Sequence, residues 1–227
     1  MAHTAKFQRG VHGAGAQIDA WLNQFGAAQG GDEVLFKVQA FFFKGSWRYD
    51  RGIIQMELDE IPDNATVTSG ILTLNVAAAA SGAGVPLEAR VSSGTDWTSA
   101  SSYPSWSHMA GGSAWGSAGG SPSAPVVSLG NLPTSTGPVD YDITLLVREA
   151  VDRRNKVLNF LLMAPEGTET TDEVSVSSSN ASNSTERPLV TVKYIEGGGS
   201  SGKSRAATMG SGGRKSMAKR NRRHFRG

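Results

Sequence analysis

One histidine in this chain has the neighbours that hydrolytic chemistry needs. His108 stands close to Ser102, Ser105 and Ser107, with Asp96 a little upstream. A serine made nucleophilic by a histidine that a carboxylate orients is the arrangement behind acyl transfer. In a stretch this rich in serine the same proximity arises by chance, so a loop histidine is the expectation and no catalytic residue is assigned. Of the other histidines, His3 and His12 lie near the N-terminus and His224 in the basic tail, and none has a second histidine at metal-ligand spacing. No His-Glu-x-x-His pair, Gly-x-Ser-x-Gly elbow or phosphate-binding glycine loop occurs. Asp50, Asp59, Glu60, Asp63 and Asn64 offer oxygen ligands near turns, as a calcium ion would need. They lack EF-hand spacing, so solvated turn acids are expected and no cofactor or metal is assigned. Asn64, Asn180 and Asn183 begin glycosylation sequons and are expected to be turn residues only.

Binding is the stronger lead. Trp97, Tyr103, Trp106 and Trp115 fall within 19 residues of polar, Gly/Ser-rich chain. Flat aromatic faces stack on sugar rings and also fill loop interiors that lack aliphatics. Trp47, Tyr103 and Trp106 are the candidate ligand contacts. The second lead is the C-terminus. Arg214, Lys215, Lys219, Arg220, Arg222, Arg223 and Arg226 place seven positive charges within 13 residues. Such an arm binds nucleic acid, acidic protein or anionic surfaces through charge. Phe225 and Met217 interrupt it where a purely electrostatic arm has no use for them, which favours an acidic protein groove.

These residues need a scaffold. In Arg51–Asp59, Ile54, Met56 and Leu58 alternate with Gln55, Glu57 and Asp59, the period of a strand with one wet face. Ile61-Pro62-Asp63-Asn64 is a turn, and Leu72, Leu74 and Val76 alternate beyond it. Further strands are expected near Ala5–Gln8, Gln17–Leu22, Glu33–Phe43, Leu87–Ser92, Val157–Ala164, Glu173–Ser178 and Pro188–Tyr194. Ser93–Pro125 is too long for an ordinary connection and predicts a packed loop or short strands. Thr144–Arg153 is the one clear helix, with Leu146, Val147, Ala150 and Val151 in one stripe. Asp142 or Thr144 is expected to cap it, and Arg153, Arg154 and Lys156 suit its C-terminal end. Gly197-Gly198-Gly199-Ser200-Ser201-Gly202 reads as a flexible linker.

The pattern as a whole resembles the DNRLRE domain, a β-sandwich related to disaggregatase repeats and carbohydrate-binding modules. The likeness rests on Arg51-Gly52 before an apolar strand, Ile61-Pro62, Ala65-Thr66-Val67 and the Leu72-Thr73-Leu74 strand. It extends to Asp19-Ala20-Trp21-Leu22, to Asp96-Trp97, Trp106 and Trp115-Gly116 with Gly119-Gly120, to Asp142-Ile143-Thr144 with Val147, and to Arg187-Pro188-Leu189. Together these span residues 4–194. The resemblance implies a single antiparallel β-sandwich of jelly-roll type over residues 1–196 and a binding or structural role without catalysis. It also places Trp97, Trp106 and Trp115 in a recurring scaffold motif, where packing is their first expected role.

Charge and composition complete the expectation. The net charge of +2 conceals a split. Residues 1–196 carry 13 Lys/Arg against 20 Asp/Glu, a balance of −7, and residues 197–227 carry nine Lys/Arg and no acid. With no cysteine there is neither a disulfide framework nor a thiolate metal site. No apolar run approaches the roughly 18 residues of a membrane span, and Met1–Phe7 has no secretory apolar core. The resemblance and this context imply a non-enzymatic virion protein of a tailed bacteriophage, made in the host cytoplasm. It would decorate the capsid or join a neck, tail or fibre, as an oligomer with other virion proteins as partners. The alternative is a carbohydrate-binding or adhesion module that contacts host glycan, and the third is a nucleic-acid-binding protein acting through the tail.

Overall fold

The computed structural model describes residues 1–12, 18–24, 29–30, 35–43, 46–82, 84–93, 104–109, 113–168 and 172–197. All of them belong to one compact unit, Met1–Gly197. Among the described residues there are twelve strands and one α-helix. In chain order they are β1 (Ala2–Phe7), β2 (Ile18–Asn23), β3 (Gln29–Gly30), β4 (Leu35–Phe43), β5 (Ser46–Glu57), β6 (Ala65–Ala78), β7 (Pro86–Ser92), β8 (Pro122–Asn131), β9 (Gly137–Asp142), α1 (Thr144–Arg153), β10 (Val157–Met163), β11 (Asp172–Ser177) and β12 (Leu189–Glu196). The expected mostly-β class with one short helix is therefore what the chain adopts.

Every pairing is antiparallel, and the ladder is continuous in the order β1-β12-β6-β11-β4-β5-β10-β7-β8. The two longest strands make this continuity. β6 pairs β12 along Ala65–Thr73 and then β11 at Val76 and Ala78, while β9 flanks Ile71–Val76. β5 pairs β4 along Ser46–Asp50 and then β10 along Gly52–Glu57, while β2 flanks Asp50–Gln55. A strand that changes partner along its length carries the sheet's twist round a corner. The result is one strongly curled sheet around a single main core. Its inner face is set by alternation: Ile54 and Met56 on β5, Leu72, Leu74 and Val76 on β6, Leu158, Phe160 and Leu162 on β10, and Val190 and Val192 on β12.

The expected wet face of β5 is a correction. Gln55 is only 8% exposed and Arg51 and Ile53 are fully buried. Ile53, Leu161 and Met163 form a second, smaller cluster with Ala20, Leu22 and Trp115, outside the main core. Alternation reports which residues share a face, not what covers that face; here the Trp-rich loop covers it. Leu58 is buried but lies beyond the end of β5. Three strands were not expected: the two-residue β3, β8 and β9. The last two contain proline (Pro122 and Pro125, and Pro138), and each of these pairs with one partner only, so the missing N–H is tolerated on an edge.

Helix α1 has the expected bounds, and Leu146, Val147 and Ala150 are buried in the main core. Its cap differs from the expectation. Ile143 occupies the N-cap position without a side-chain bond, and Asp142 Oδ1 accepts from Thr144 N at 2.9 Å from one position earlier. Thr144 Oγ1 instead accepts from Gly70 N at 2.9 Å and so fastens the helix to β6. Gly70 is what lets the helix come this close. A Cβ there would lie 2.6 Å from Val147 Cγ2. Gly70→Ala is expected to cost about 1–3 kcal/mol through overpacking. Denaturant melts check this: combined with Val147→Ala the loss should be less than the sum of the two single losses.

Candidate functional site

Five of the residues that carry the resemblance, Arg51, Trp106, Trp115, Gly119 and Gly120, meet on the outer face of β2, β5 and β10. Arg51 leaves β5 on this face with no exposed surface. A lone buried guanidinium is costly unless its donors are used. Arg51 Nη2 pairs with Glu166 Oε1 at 2.7 Å, Nη1 donates to the Gly119 carbonyl at 2.9 Å, and the guanidinium lies 4.6 Å from the Trp106 ring centroid. Only Nε is without a hydrogen bond. Burial holds the Arg51 pKa below its ordinary value, while the Glu166 carboxylate pulls it back up. Two residues earlier on β5, Tyr49 Oη accepts from Gly167 N at 2.8 Å. Together Tyr49 and Arg51 hold the turn after β10.

The loop above Arg51 is built to sit on it. Trp106 O accepts from Gly119 N at 2.6 Å, Trp115 Nε1 donates to Ser105 O at 2.8 Å, and Ser92 Oγ donates to Gly120 O at 2.6 Å. Gly119 and Gly120 have φ of 78° and 92°. A Cβ on Gly119 would lie 2.5 Å from Arg51 Nη1, and one on Gly120 2.6 Å from Leu161. Glycine is required there both by backbone and by space. Trp115 is buried and Trp106 is half-buried, and both pack against Ala20, Leu22, Ile53, Leu161 and Met163. One face of Trp106, a candidate ligand contact, is occupied by Arg51. Asp96, Trp97, Ser102 and Tyr103 lie outside the described residues, as does the Trp47 side chain.

At another point on β2 and its surroundings, Asp19 is 3% exposed and Oδ2 accepts from Ser179 N at 2.6 Å. Burial pushes its pKa up to about 7, against the pull of the Ser179 hydrogen bonds and of Arg9. Arg9 Nη1 in turn contacts Ser179 Oγ and Asn180 Oδ1. Arg187 Nε donates to Ala181 O at 2.9 Å and Arg187 Nη1 to Arg9 O at 3.0 Å. The Asp19 and Arg187 signatures thus tie the loop before β12 to β2 and to the chain after β1.

The chain matches no protein-family model, and no curated protein matches it. What its residues do must come from their geometry.

His108 is exposed; its Nδ1 lies 2.8 Å from Ser107 Oγ, its own neighbour, and its N–H donates to Ser105 Oγ at 3.2 Å. The candidate calcium ligands are not gathered at one point. Asp50 is buried and accepts from Gln39 Nε2, Asp63 pairs with Lys156 at 2.5 Å, and Asn64 donates to Gly197 O at 3.0 Å. Among the described residues no group of three or more His, Cys, Asp or Glu is placed to hold a metal ion. The sequon residues Asn180 and Asn183 act in turns: Asn180 accepts from Arg9, and Asn183 Oδ1 accepts from Thr185 N at 3.1 Å. No described helix is long and apolar enough to cross a membrane. The basic arm from Arg214 to Arg226, with Met217 and Phe225, and the linker from Gly198 to Gly202 lie outside the described residues.

The sequence had marked Arg51 and Asp19 only through resemblance. A direct signal was available: a charged residue beside an otherwise apolar strand run, where burial without a partner would be prohibitive. Glu166, the partner of Arg51, follows a proline in a turn and carries no such signal.

Proposed function

We propose that this chain is a non-enzymatic structural protein of a tailed-phage virion, serving as a capsid decoration or as part of a neck, tail or fibre. On this reading the curled sheet is a DNRLRE-like jelly-roll sandwich whose two layers are joined through β5 and β6. The carrying observation is the charge split: a body at −7 and an arm with nine cations and no acid. Such an arrangement suits a rigid acidic body tethered to an anionic surface. The work done by the signature residues supports it too. Arg51, Asp19, Arg187, Trp106, Trp115, Gly119 and Gly120 fasten loops to the sheet. The bet on an acidic protein groove, with Phe225 and Met217 buried beside the arginines, belongs to the same proposal.

Removing residues 198–227 tests it. Gly197 N donates to Asn64 O at 3.0 Å, so the cut falls just past the last anchored residue. The shortened chain is expected to melt within a few degrees of the full chain and to lose incorporation into particles. An unfolded product would mean that the arm belongs to the fold. Binding of the full chain across a salt series, beside Phe225→Ala, separates the partners. A protein groove predicts a shallow salt slope and a loss on Phe225→Ala. A slope approaching the full charge count of the arm, with Phe225→Ala silent, points to nucleic acid.

A further inference from the structure

The part of the sheet made by β1, β12, β6 and β9 has an open outer face whose charges are sorted. Strand pairing sets its residues in rows. One row runs Lys6, Thr191, Ile71, Asp142 across the four strands in that order. The next row on one side holds Thr4, Lys193 and Ser69, and on the other Leu189, Thr73 and Asp140. Their chain neighbours Val190, Leu72 and Tyr141 point the other way, into the main core. Lys6, Lys193, Asp140 and Asp142 are exposed, and Ile71 and Leu189 between them are half-buried. Both lysines thus lie on the β1–β12 half and both aspartates on β9. None of the four has a salt bridge among the described residues. Asp140 Oδ1 accepts from Thr73 Oγ1 at 2.6 Å and Asp142 Oδ1 from Thr144 N at 2.9 Å. The Thr144 hydrogen bonds, helped weakly by Arg148, hold the Asp142 carboxyl below its ordinary pKa, so it stays charged. The face balances two cations against two acids, in a body at −7.

We propose that two copies of this chain pack against each other through this face, sheet on sheet, about a two-fold axis. The axis lies in the interface, parallel to the strands and midway between β12 and β6. It sets Lys6 of each copy opposite Asp142 of the other, Thr191 opposite Ile71, and Leu189 opposite Thr73. The half that carries the cations always meets the half that carries the acids, as a self-complementary two-fold contact requires. Stacked sheets lie ~10 Å apart with their strands nearly aligned, a gap that a lysine and an aspartate span together. A two-fold axis across the strands would instead set Lys6 over Lys6. Other occupants match half of the face only. A nucleic acid or anionic surface would meet Asp140 and Asp142, and a basic partner would meet the lysines. Away from this neutral face, two bodies at −7 repel. The face is only four strands wide, roughly 15 Å from β1 to β9, so the association is weak, with a Kd of about 10–100 µM. It stands whether or not the chain is a virion component.

The test is sedimentation velocity of the full chain from about 1 to about 200 µM, the range that brackets such a Kd. A monomer–dimer equilibrium is expected across it. Lys6→Glu alone and Asp142→Lys alone each set like charges opposite one another twice per dimer, so each should weaken association about tenfold or more. Mixed in equal amounts, the two variants again present opposite charges at both places. The mixture should therefore associate within about threefold of wild type. That rescue reads the axis itself, because it requires Lys6 of each copy to face Asp142 of the other. Lys6 is exposed on an edge strand, so Lys6→Glu should melt with wild type. Asp142 also accepts from Thr144 N. Where Asp142→Lys lowers the melting temperature, Asp140→Lys takes its place, two residues along the same strand. A chain that stays monomeric at about 200 µM, association that Lys6→Glu leaves unchanged, or weakened single variants that do not associate when mixed, each overturns the proposal.

Discussion

Asp19→Asn is expected to raise stability at pH 8 by up to about 4 kcal/mol and to leave it nearly unchanged near pH 4. The carboxyl group has an ordinary pKa of 3.8, and burial raises it to about 7 in the folded chain. Between those values the folded protein holds a proton that the unfolded chain releases. Stability contributed at this position is therefore present below pH 4, falls as pH rises to about 7, and stays low above it. A shift of this size is worth about 4 kcal/mol at 1.36 kcal/mol per unit. Asparagine does not titrate, and its Oδ1 can still accept from Ser179 N. The measurement is a pair of urea melts, wild type and variant, at pH 4 and pH 8. Other carboxylates titrate in both proteins, so they cancel in the difference. An equal loss at both pH values would mean that Asp19 is retained for a charge interaction with Arg9 and not merely tolerated.

Arg51→Ala should be the most damaging single truncation on the outer face, at about 3 kcal/mol. The Gly119 carbonyl loses its donor, the Trp106 ring loses the cation beneath it, and a cavity opens under the loop. Relief from burying a charge offsets part of this. Glu166→Gln should cost less than about 1 kcal/mol, because that side chain is 70% exposed and water screens the pair. The asymmetry distinguishes an anchor for the loop from a simple ion pair. Arg51→Met, which keeps much of the volume, should fall between the two. Limited proteolysis supplies the second readout: cleavage within residues 104–121 should accelerate in Arg51→Ala well before global unfolding. Equal costs for Arg51→Ala and Glu166→Gln would show that the loop is held by its own packing.

Local pattern was legible where a segment's own neighbours determine it. The stripe of Leu146, Val147 and Ala150 defined α1 from end to end, because helical spacing depends only on residues three and four apart. Alternation located β5, β6, β7 and β11 within a few residues, with β5 beginning five residues before Arg51, at Ser46. The near-continuous apolar run at Val157–Met163 announced a strand covered on both faces. Two edge strands did not announce themselves: β8 and β9 carry prolines that read as breakers, and only their place at the margin makes those prolines harmless.

The rest was decided by contacts between distant parts of the chain. Arg51 meets Glu166 across 115 positions, and Asp19 meets Ser179 across 160. No window of sequence contains both members of either pair, so neither the partner nor the pKa it leaves behind can be read from one. Gln55 looked solvent-facing because its neighbours alternate, and it is buried because β10 sets Asn159 beside it and the end of α1 borders it. The mostly-β class, the helix and the acidic body with its basic arm were legible from the residues alone, since these depend on composition and period; the antiparallel pairing is not contained in either. Which polar residues lie inside, what faces them and which face is left open were decided by the tertiary structure, because burial is a property of the element that covers a residue and not of the residue itself.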